Sequence, residues 1–169
     1  MKLVPADYAA EMADLTAQLA KPGLLLVVPD TPRPANAMTI GWATFGRVWS
    51  RPICMVMVRP SRYTFDLINR AGVFTVNRMP AEFERAVTRC GTVSGRDVDK
   101  IAEQGWTLRM GETQAAPYLV EAALHIECRT VFTGQVTPDL AEELRTLAYP
   151  RGDYHTLYFG LVTGVYRHL

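Results

Sequence analysis

The chain has 169 residues, 49% of them hydrophobic, and its 18 Lys and Arg against 17 Asp and Glu leave a formal net charge of +1. That length fits one domain with a packed core. So even a charge balance argues against nucleic acid or an anionic membrane surface as a partner.

The first twenty residues carry acids and no long apolar run, so they do not read as a signal peptide. No apolar stretch approaches the roughly 20 residues of a membrane span. Cys54, Cys90 and Cys128 are odd in number and form no CxxC pair. They point to reduced thiols in a cytoplasmic protein rather than to a disulfide framework or a metal cluster.

Tyr8, Met12, Leu15 and Leu19 recur at helical spacing, and Pro22 with Gly23 closes that opening helix. Residues 23–28, GLLLVV, form a short apolar strand. Pro29, Pro32 and Pro34 then impose an extended connection. Residues 37–45 and 53–58 are the next two strands. ICMVMV in the second is apolar on both faces, which predicts cover on both, one side from a partner subunit. Residues 61–71 read as a helix stopped by Gly72 with Phe65, Ile68 and Ala71 inward, and residues 73–77 as a strand.

Helices follow at 81–90, with Phe83 and Val87 inward, and at 97–104. Two long alternating strands come late. In the first, Leu124, Ile126, Cys128, Thr130 and Phe132 share a face, and His125, Glu127 and Arg129 share the other. That pattern puts His125 at a surface or interface, and His168 in a tail. In the second, Leu157, Phe159, Leu161, Thr163 and Val165 share a face, while Gly160 and Gly164 mark a bend or a close backbone approach. A helix at 139–147 joins the two strands. Without strict strand–helix alternation, a mostly antiparallel β-barrel decorated by helices is favoured over a doubly wound sheet. No linker divides the chain, so residues 1–169 are read as one domain.

Arg59-Pro60-Ser61-Arg62-Tyr63-Thr64 follows an apolar strand and opens a helix. Ser61 suits the N-cap, and unpaired N–H groups at a helix start suit an anion. Arginines there oppose the helix dipole unless an anion answers them. The plainer reading is a capping serine with solvated arginines. Asn36-Ala37-Met38-Thr39-Ile40-Gly41-Trp42-Ala43-Thr44 is a strand of small, hydroxyl-bearing and flat residues on which a planar ligand can lie close to the backbone, with Trp42 stacking on it. Its plainer reading is a core tryptophan beside an ordinary strand threonine. The loop from Cys90 to Lys100 contains glycine but matches neither the P-loop nor the dinucleotide fingerprint.

Together NAMTIGW, VRPSRYT, GVFTVN, SGRDVDK and YHTLYFG, in that order over residues 23–166, resemble the flavin reductase-like family of FMN-binding split barrels, in particular its flavoredoxin-type members. The resemblance implies a mainly β fold, a six-stranded antiparallel split β-barrel of Greek-key type with flanking helices, assembled as a homodimer with FMN near the interface. It implies that Met38, Thr39, Ile40, Gly41, Trp42, Ala43 and Thr44 line the isoalloxazine and ribityl chain. Arg59, Ser61, Arg62, Tyr63 and Thr64 would hold the phosphate, with Asn77, Ser94 and Lys100 as further cofactor contacts.

His155 would stand near flavin and nicotinamide as the catalytic residue, against the plainer reading of a strand-end histidine. Many family members carry Asp-His where this chain has Tyr154-His155, and an acid where it has Leu161. Both departures bear on nicotinamide handling more than on FMN. The implied activity is hydride transfer from NADH or NADPH to FMN. Its rivals are a flavoredoxin-like electron carrier reduced by a partner protein, a flavin-binding module without turnover, a pyridoxamine-phosphate oxidase type, and an unrelated β-barrel ligand carrier.

Overall fold

The computed structural model describes residues 2–31 and 33–169, so Pro32 of the extended connection lies outside the described residues. A short strand β1 (Leu3–Pro5) leads into α1 (Tyr8–Ala20), which Asp7 caps by accepting from the Ala9 N–H. The face read from the sequence is the inward one. Leu15 is fully buried and Tyr8 and Leu19 pack on the core. Glu11 on the same helix is also buried, where Arg167 and Arg78 compensate its charge.

The apolar run becomes β2 (Leu24–Pro29), followed by β3 (Ala35–Ile40), β4 (Ala43–Val48) and β5 (Arg51–Val58). Then come α2 (Tyr63–Ala71), ended by Gly72 at φ 64°, and β6 (Val73–Arg78). A 3-10 turn (Ala81–Phe83) leads to α3 (Glu84–Thr92) and a one-turn α4 (Lys100–Glu103). A small hairpin of β7 (Leu108–Met110) and β8 (Pro117–Leu119) precedes β9 (Leu124–Gln135), α5 (Glu142–Ala148) and β10 (Thr156–His168). No helix among the described residues is long and apolar enough to cross a membrane.

The main sheet runs β3-β2-β6-β9-β10-β5-β4, every pairing antiparallel, with β1 added on the far half of β10. Its two edge strands, β3 and β4, are consecutive in the chain and joined only by Gly41 and Trp42. Three peptide steps reach at most about 11 Å. The sheet must therefore curl until its first and last strands nearly meet, which is a barrel split along one seam. Eight strands stand where six were expected. The stretch 37–45 breaks into two at Gly41–Trp42, and β1 is added.

The run GLLLVV is apolar throughout because β2 is covered on both faces. Leu24, Leu26 and Val28 enter the barrel core with Val56, Phe74, Ile126 and Tyr158. Leu25 and Val27 enter a second core under α3 and α4, with Val87, Ile101 and Trp106. The same two-sided cover overturns the surface placement of His125, whose exposure is 0%. Tyr118 of β8 stacks on its ring at 4.0 Å, and the hairpin hides Glu127 beside it. His168 is likewise no tail residue, since its Nε2 lies 2.6 Å from His125 Nδ1. A close backbone approach does occur at Gly160, where an added Cβ would sit 2.5 Å from the Phe74 ring.

Candidate functional site

Two cavities lie along the barrel seam and share Met38 and Arg62 in their walls, so they adjoin. The smaller, of about 120 Å³, lies between the turn that leads into α2 and the loop before α4. Ser61, Arg62, Tyr63 and Thr64 line one side, and Ser94, Arg96 and Lys100 the other. Cys90-to-Lys100 thus converges on the very turn that the sequence marks for an anion.

The charges in this compartment lack partners of opposite sign. Lys100 is 4% exposed, and its ammonium donates only to the carbonyls of Cys90 (3.3 Å) and Val93 (3.5 Å). No carboxylate among the described residues reaches it. Burial pulls its pKa below the ordinary lysine value, reinforced by the charges of Arg62 and Arg33 and opposed by Cys90. The guanidinium of Arg62 has no hydrogen-bond partner among the described residues. Arg96 closes over the cavity, donating to the Ser61 carbonyl (3.1 Å) with its guanidinium 5.5 Å from the Tyr63 ring centre. A buried cation without a counter-charge is costly, and an anion is what this arrangement can take.

Other members of the turn are occupied. Ser61 is not the cap of α2. Arg62 stands at that position without a side-chain bond, while the Ser61 hydroxyl donates to Asp153 at 2.6 Å. Thr64 is buried and accepts from the Asn36 amide (2.9 Å), which ties α2 to β3. Tyr63 donates to the Asp30 carboxylate at 3.0 Å. Arg59 donates to the carbonyls of Ala148 (2.8 Å) and Asp153 (3.2 Å), and so fastens the segment between α5 and β10 instead of facing the small cavity.

The larger cavity, of about 190 Å³, is floored by Met38 to Trp42 of the seam and walled by Met57, Arg59 and His155. Trp42 is 45% exposed, so it is a rim residue and not a core tryptophan. Its ring lies 4.9 Å from that of His155. The Thr39 hydroxyl donates to the Val87 carbonyl, which anchors this edge to α3. His155 is 8% exposed with Nδ1 2.8 Å from the Tyr149 hydroxyl. Burial and then the Arg59 charge hold its pKa down at about 4, against Asp153, so the ring is neutral at pH 7.

Most of the residues anticipated from the sequence meet in these two cavities, but three do not. Ala43 and Thr44 lie past the seam on β4 and line neither. Asn77 is fully buried, donating to Thr75 Oγ1 and accepting from the Leu119 N–H, so it stitches β6 to β8. Arg96, Met57 and Tyr149 were missed. Arg96 stands inside SGRDVDK between two anticipated residues, whereas nothing local marks the other two.

A family model described as flavin reductase like domain matches residues 17–169. Among solved structures, the chain is similar to the flavoredoxin of Methanosarcina acetivorans (28% identity, TM-score 0.70, covering 88% of this chain and 69% of that one). It is also similar to the flavoredoxin of Desulfovibrio vulgaris (Miyazaki F), at 26% identity and TM-score 0.68, over 86% of this chain and 68% of that one. A likeness in fold alone extends to an NADH:FAD oxidoreductase of Streptomyces globisporus C-1027, at 20% identity and TM-score 0.64, over 85% of this chain and 74% of that one. An uncharacterised protein of Archaeoglobus fulgidus is 31% identical over 63% of this chain, which spans 59% of that protein. One of Aeropyrum pernix is 35% identical over 47% of this chain, which spans 31% of that protein.

Proposed function

Because this chain belongs to the family of flavin reductase-like domains, we propose that residues 1–169 form one FMN-binding unit that passes electrons from NADH or NADPH to the flavin. The observation that carries this reading is the buried ammonium of Lys100, without a carboxylate partner among the described residues, in a compartment that adjoins a flat-walled one. An anionic phosphate joined to a planar ring matches that sequence of surroundings. Lys100, Arg62 and Arg96 would answer the phosphate, with Ser61 and Ser94 beside them, and Thr64 and Tyr63 would hold the turn in place. Met38, Thr39, Ile40, Gly41 and Trp42 would back the ring.

Bound FMN would supply the hydride-accepting chemistry. The chain's own work is then position and electrostatics. Seam backbone groups offer hydrogen bonds to a polar ring edge, and the guanidiniums of Arg59 and Arg62 favour negative charge gathering there. Trp42 and His155 would wall the compartment against water, and a nicotinamide stacked there would be held in position to react. His155 is neutral, so it contributes no extra positive charge.

A second reading is a flavoredoxin-like carrier reduced by a protein partner, favoured by the flavoredoxins among the similar structures. We also propose a homodimer. Trp49 and Ser50 turn β4 into β5 with φ of 53° and 57°, a strained conformation for a tryptophan, and hold its ring 61% exposed near Phe132 and Phe159. A second copy would cover this aromatic patch and the partly buried Met55 and Met57. The three unpaired buried cysteines suit the reducing cytoplasm.

The test is an anaerobic absorbance titration with FMN, then with NADH and NADPH. Bound flavin that bleaches with either nucleotide is the expected result and names the donor. Bound flavin indifferent to both would favour the carrier, and no flavin binding would overturn the reading.

A further inference from the structure

His155 sits at the junction of three fixed elements. Its carbonyl accepts from the Val136 N–H at 2.9 Å, its ring packs on Trp42, and its Nδ1 meets the Tyr149 hydroxyl. Tyr149 is itself locked. It is 5% exposed, stacked on Tyr154 at 4.8 Å, and covered by the Arg59 guanidinium 5.1 Å from its ring centre. The other imidazole nitrogen, Nε2, has no hydrogen-bond partner among the described residues, although the residue is 92% buried and lines the larger cavity. A polar atom left unpaired in a cavity wall is open to a ligand.

A neutral imidazole carries one N–H, and the bond made by one nitrogen decides what the other offers. Burial raises the Tyr149 hydroxyl above the ordinary tyrosine value, against the Arg59 charge and a hydrogen bond from the His155 backbone, so the phenol keeps its proton. Nδ1, 2.8 Å away, is the hydrogen-bond partner of that hydroxyl among the described residues, so the retained proton is placed to be donated to it.

We propose that Tyr149 is a positioning residue: by donating to Nδ1 it fixes His155 in the Nε2–H tautomer and aims an uncharged hydrogen-bond donor into the ring compartment. The ligand atom it suits is an acceptor on a flat ring system, a carbonyl oxygen or an unprotonated ring nitrogen. An imidazolium there would add charge beside Arg59 and Arg62, and the opposite tautomer would present a lone pair and repel such an acceptor. The proposal rests on the flavin reading only for the identity of that acceptor.

Two measurements on the full chain test it. In protein labelled with 15N-histidine, the long-range 15N–1H spectrum of His155, assigned with His155→Gln, is expected to show a protonated Nε2 and a hydrogen-bonded, unprotonated Nδ1 at pH 7. In Tyr149→Phe the Nδ1 resonance is expected to move to its unbonded position. A protonated Nδ1 in the wild type, or unchanged nitrogen shifts in Tyr149→Phe, would overturn the proposal.

With FMN bound, Tyr149→Phe is expected to lower the rate of nucleotide-driven bleaching about tenfold while changing FMN affinity less than about twofold. His155→Gln, which keeps an N–H donor at similar reach, should recover more of the rate than His155→Ala. Equal rates in wild type and Tyr149→Phe would also overturn it. Failure of the wild type to bind FMN would sink the flavin reading and leave the tautomer to the spectrum.

Discussion

The Ser61 hydroxyl donates to the Asp153 carboxylate at 2.6 Å, although the two residues stand 92 positions apart in the chain. The Ser61 backbone N–H reaches the same carboxylate at 3.2 Å, and Arg59 lies 4.0 Å from it. An acid side chain therefore sits where serine and arginine were expected to meet a phosphate. Asp153 adopts φ 58°, a left-handed conformation that Asp and Asn tolerate better than most residues, so the contact is held against some backbone strain.

Replacing that carboxylate by an amide keeps the backbone preference and an acceptor for Ser61 while removing a negative charge beside the anion compartment. Asp153→Asn should bind FMN more tightly, by roughly three- to tenfold at low salt, with the gain shrinking as ionic strength rises. Fluorescence quenching of FMN at two salt concentrations measures it. An affinity equal to or weaker than the wild type's at both would show that Asp153 helps to build the site.

Lys100 sets binding against stability. Its ammonium is buried with only carbonyl partners, so the empty protein bears a desolvation cost that a bound phosphate would relieve. Lys100→Met keeps the stem's volume and removes the charge. Its apo form should unfold at a denaturant concentration equal to or above the wild type's, while its FMN affinity should drop at least tenfold. A variant that loses stability and keeps affinity would assign Lys100 to the core alone.

The sequence makes the two arms of the site legible for different reasons. Arginines at a helix start and a glycine-bearing strand are local signals, and both lie at the cavities. What it could not show depends on distant packing. Ser61 has the chemistry of a cap, but Asp153 competes for its hydroxyl across the fold. His125 and Glu127 alternate like solvent-facing residues, yet the β7–β8 hairpin covers them. Trp42 breaks the predicted strand at the point where barrel closure needs a seam. Tyr149 carries no motif at all, since it gains its role only through the imidazole six residues on.

Gly95 shows how tightly the loop before α4 is seated. A Cβ there would stand 2.2 Å from Asn36 Oδ1 and 2.7 Å from the Tyr63 ring, both fixed by their own hydrogen bonds. Gly95→Ala should therefore push the loop carrying Ser94 and Arg96 away from α2. The expected outcome is a stability loss of about 1–3 kcal/mol and weaker FMN binding. Gly105→Ala is the useful contrast. Its site has open space but a φ of 66°, so it should cost stability alone. Urea unfolding with FMN titration separates the two effects, and Gly95→Ala with wild-type affinity would place the loop outside the binding site.

Two buried groups give the protein a predictable acid limit. His155 titrates near 4 when folded against an ordinary value of 6.5, because burial and then Arg59 disfavour its charged form. The unfolded chain therefore takes up a proton below pH 6.5 that the folded chain refuses until pH 4. Stability is lost across that window, at up to about 1.4 kcal/mol per pH unit. Burial would raise Glu127, but hydrogen bonds from His125, from the Thr113 hydroxyl and from the backbone N–H groups of Thr113 and Glu112 outweigh it and hold the carboxyl at about 2. Its contribution is present above the unfolded value of 4.5 and disappears as the pH falls toward 2. Both slopes have the same sign, so denaturant midpoints should decline from about pH 6.5 downward without a plateau. His155→Gln should flatten the upper part of that decline and Glu127→Gln the lower, the latter at a large loss of stability at pH 7 because the five groups that now bond the carboxylate would face a neutral amide. A His155→Gln profile parallel to the wild type's between pH 6.5 and 4 would mean that the folded imidazole takes up its proton as readily as the unfolded one.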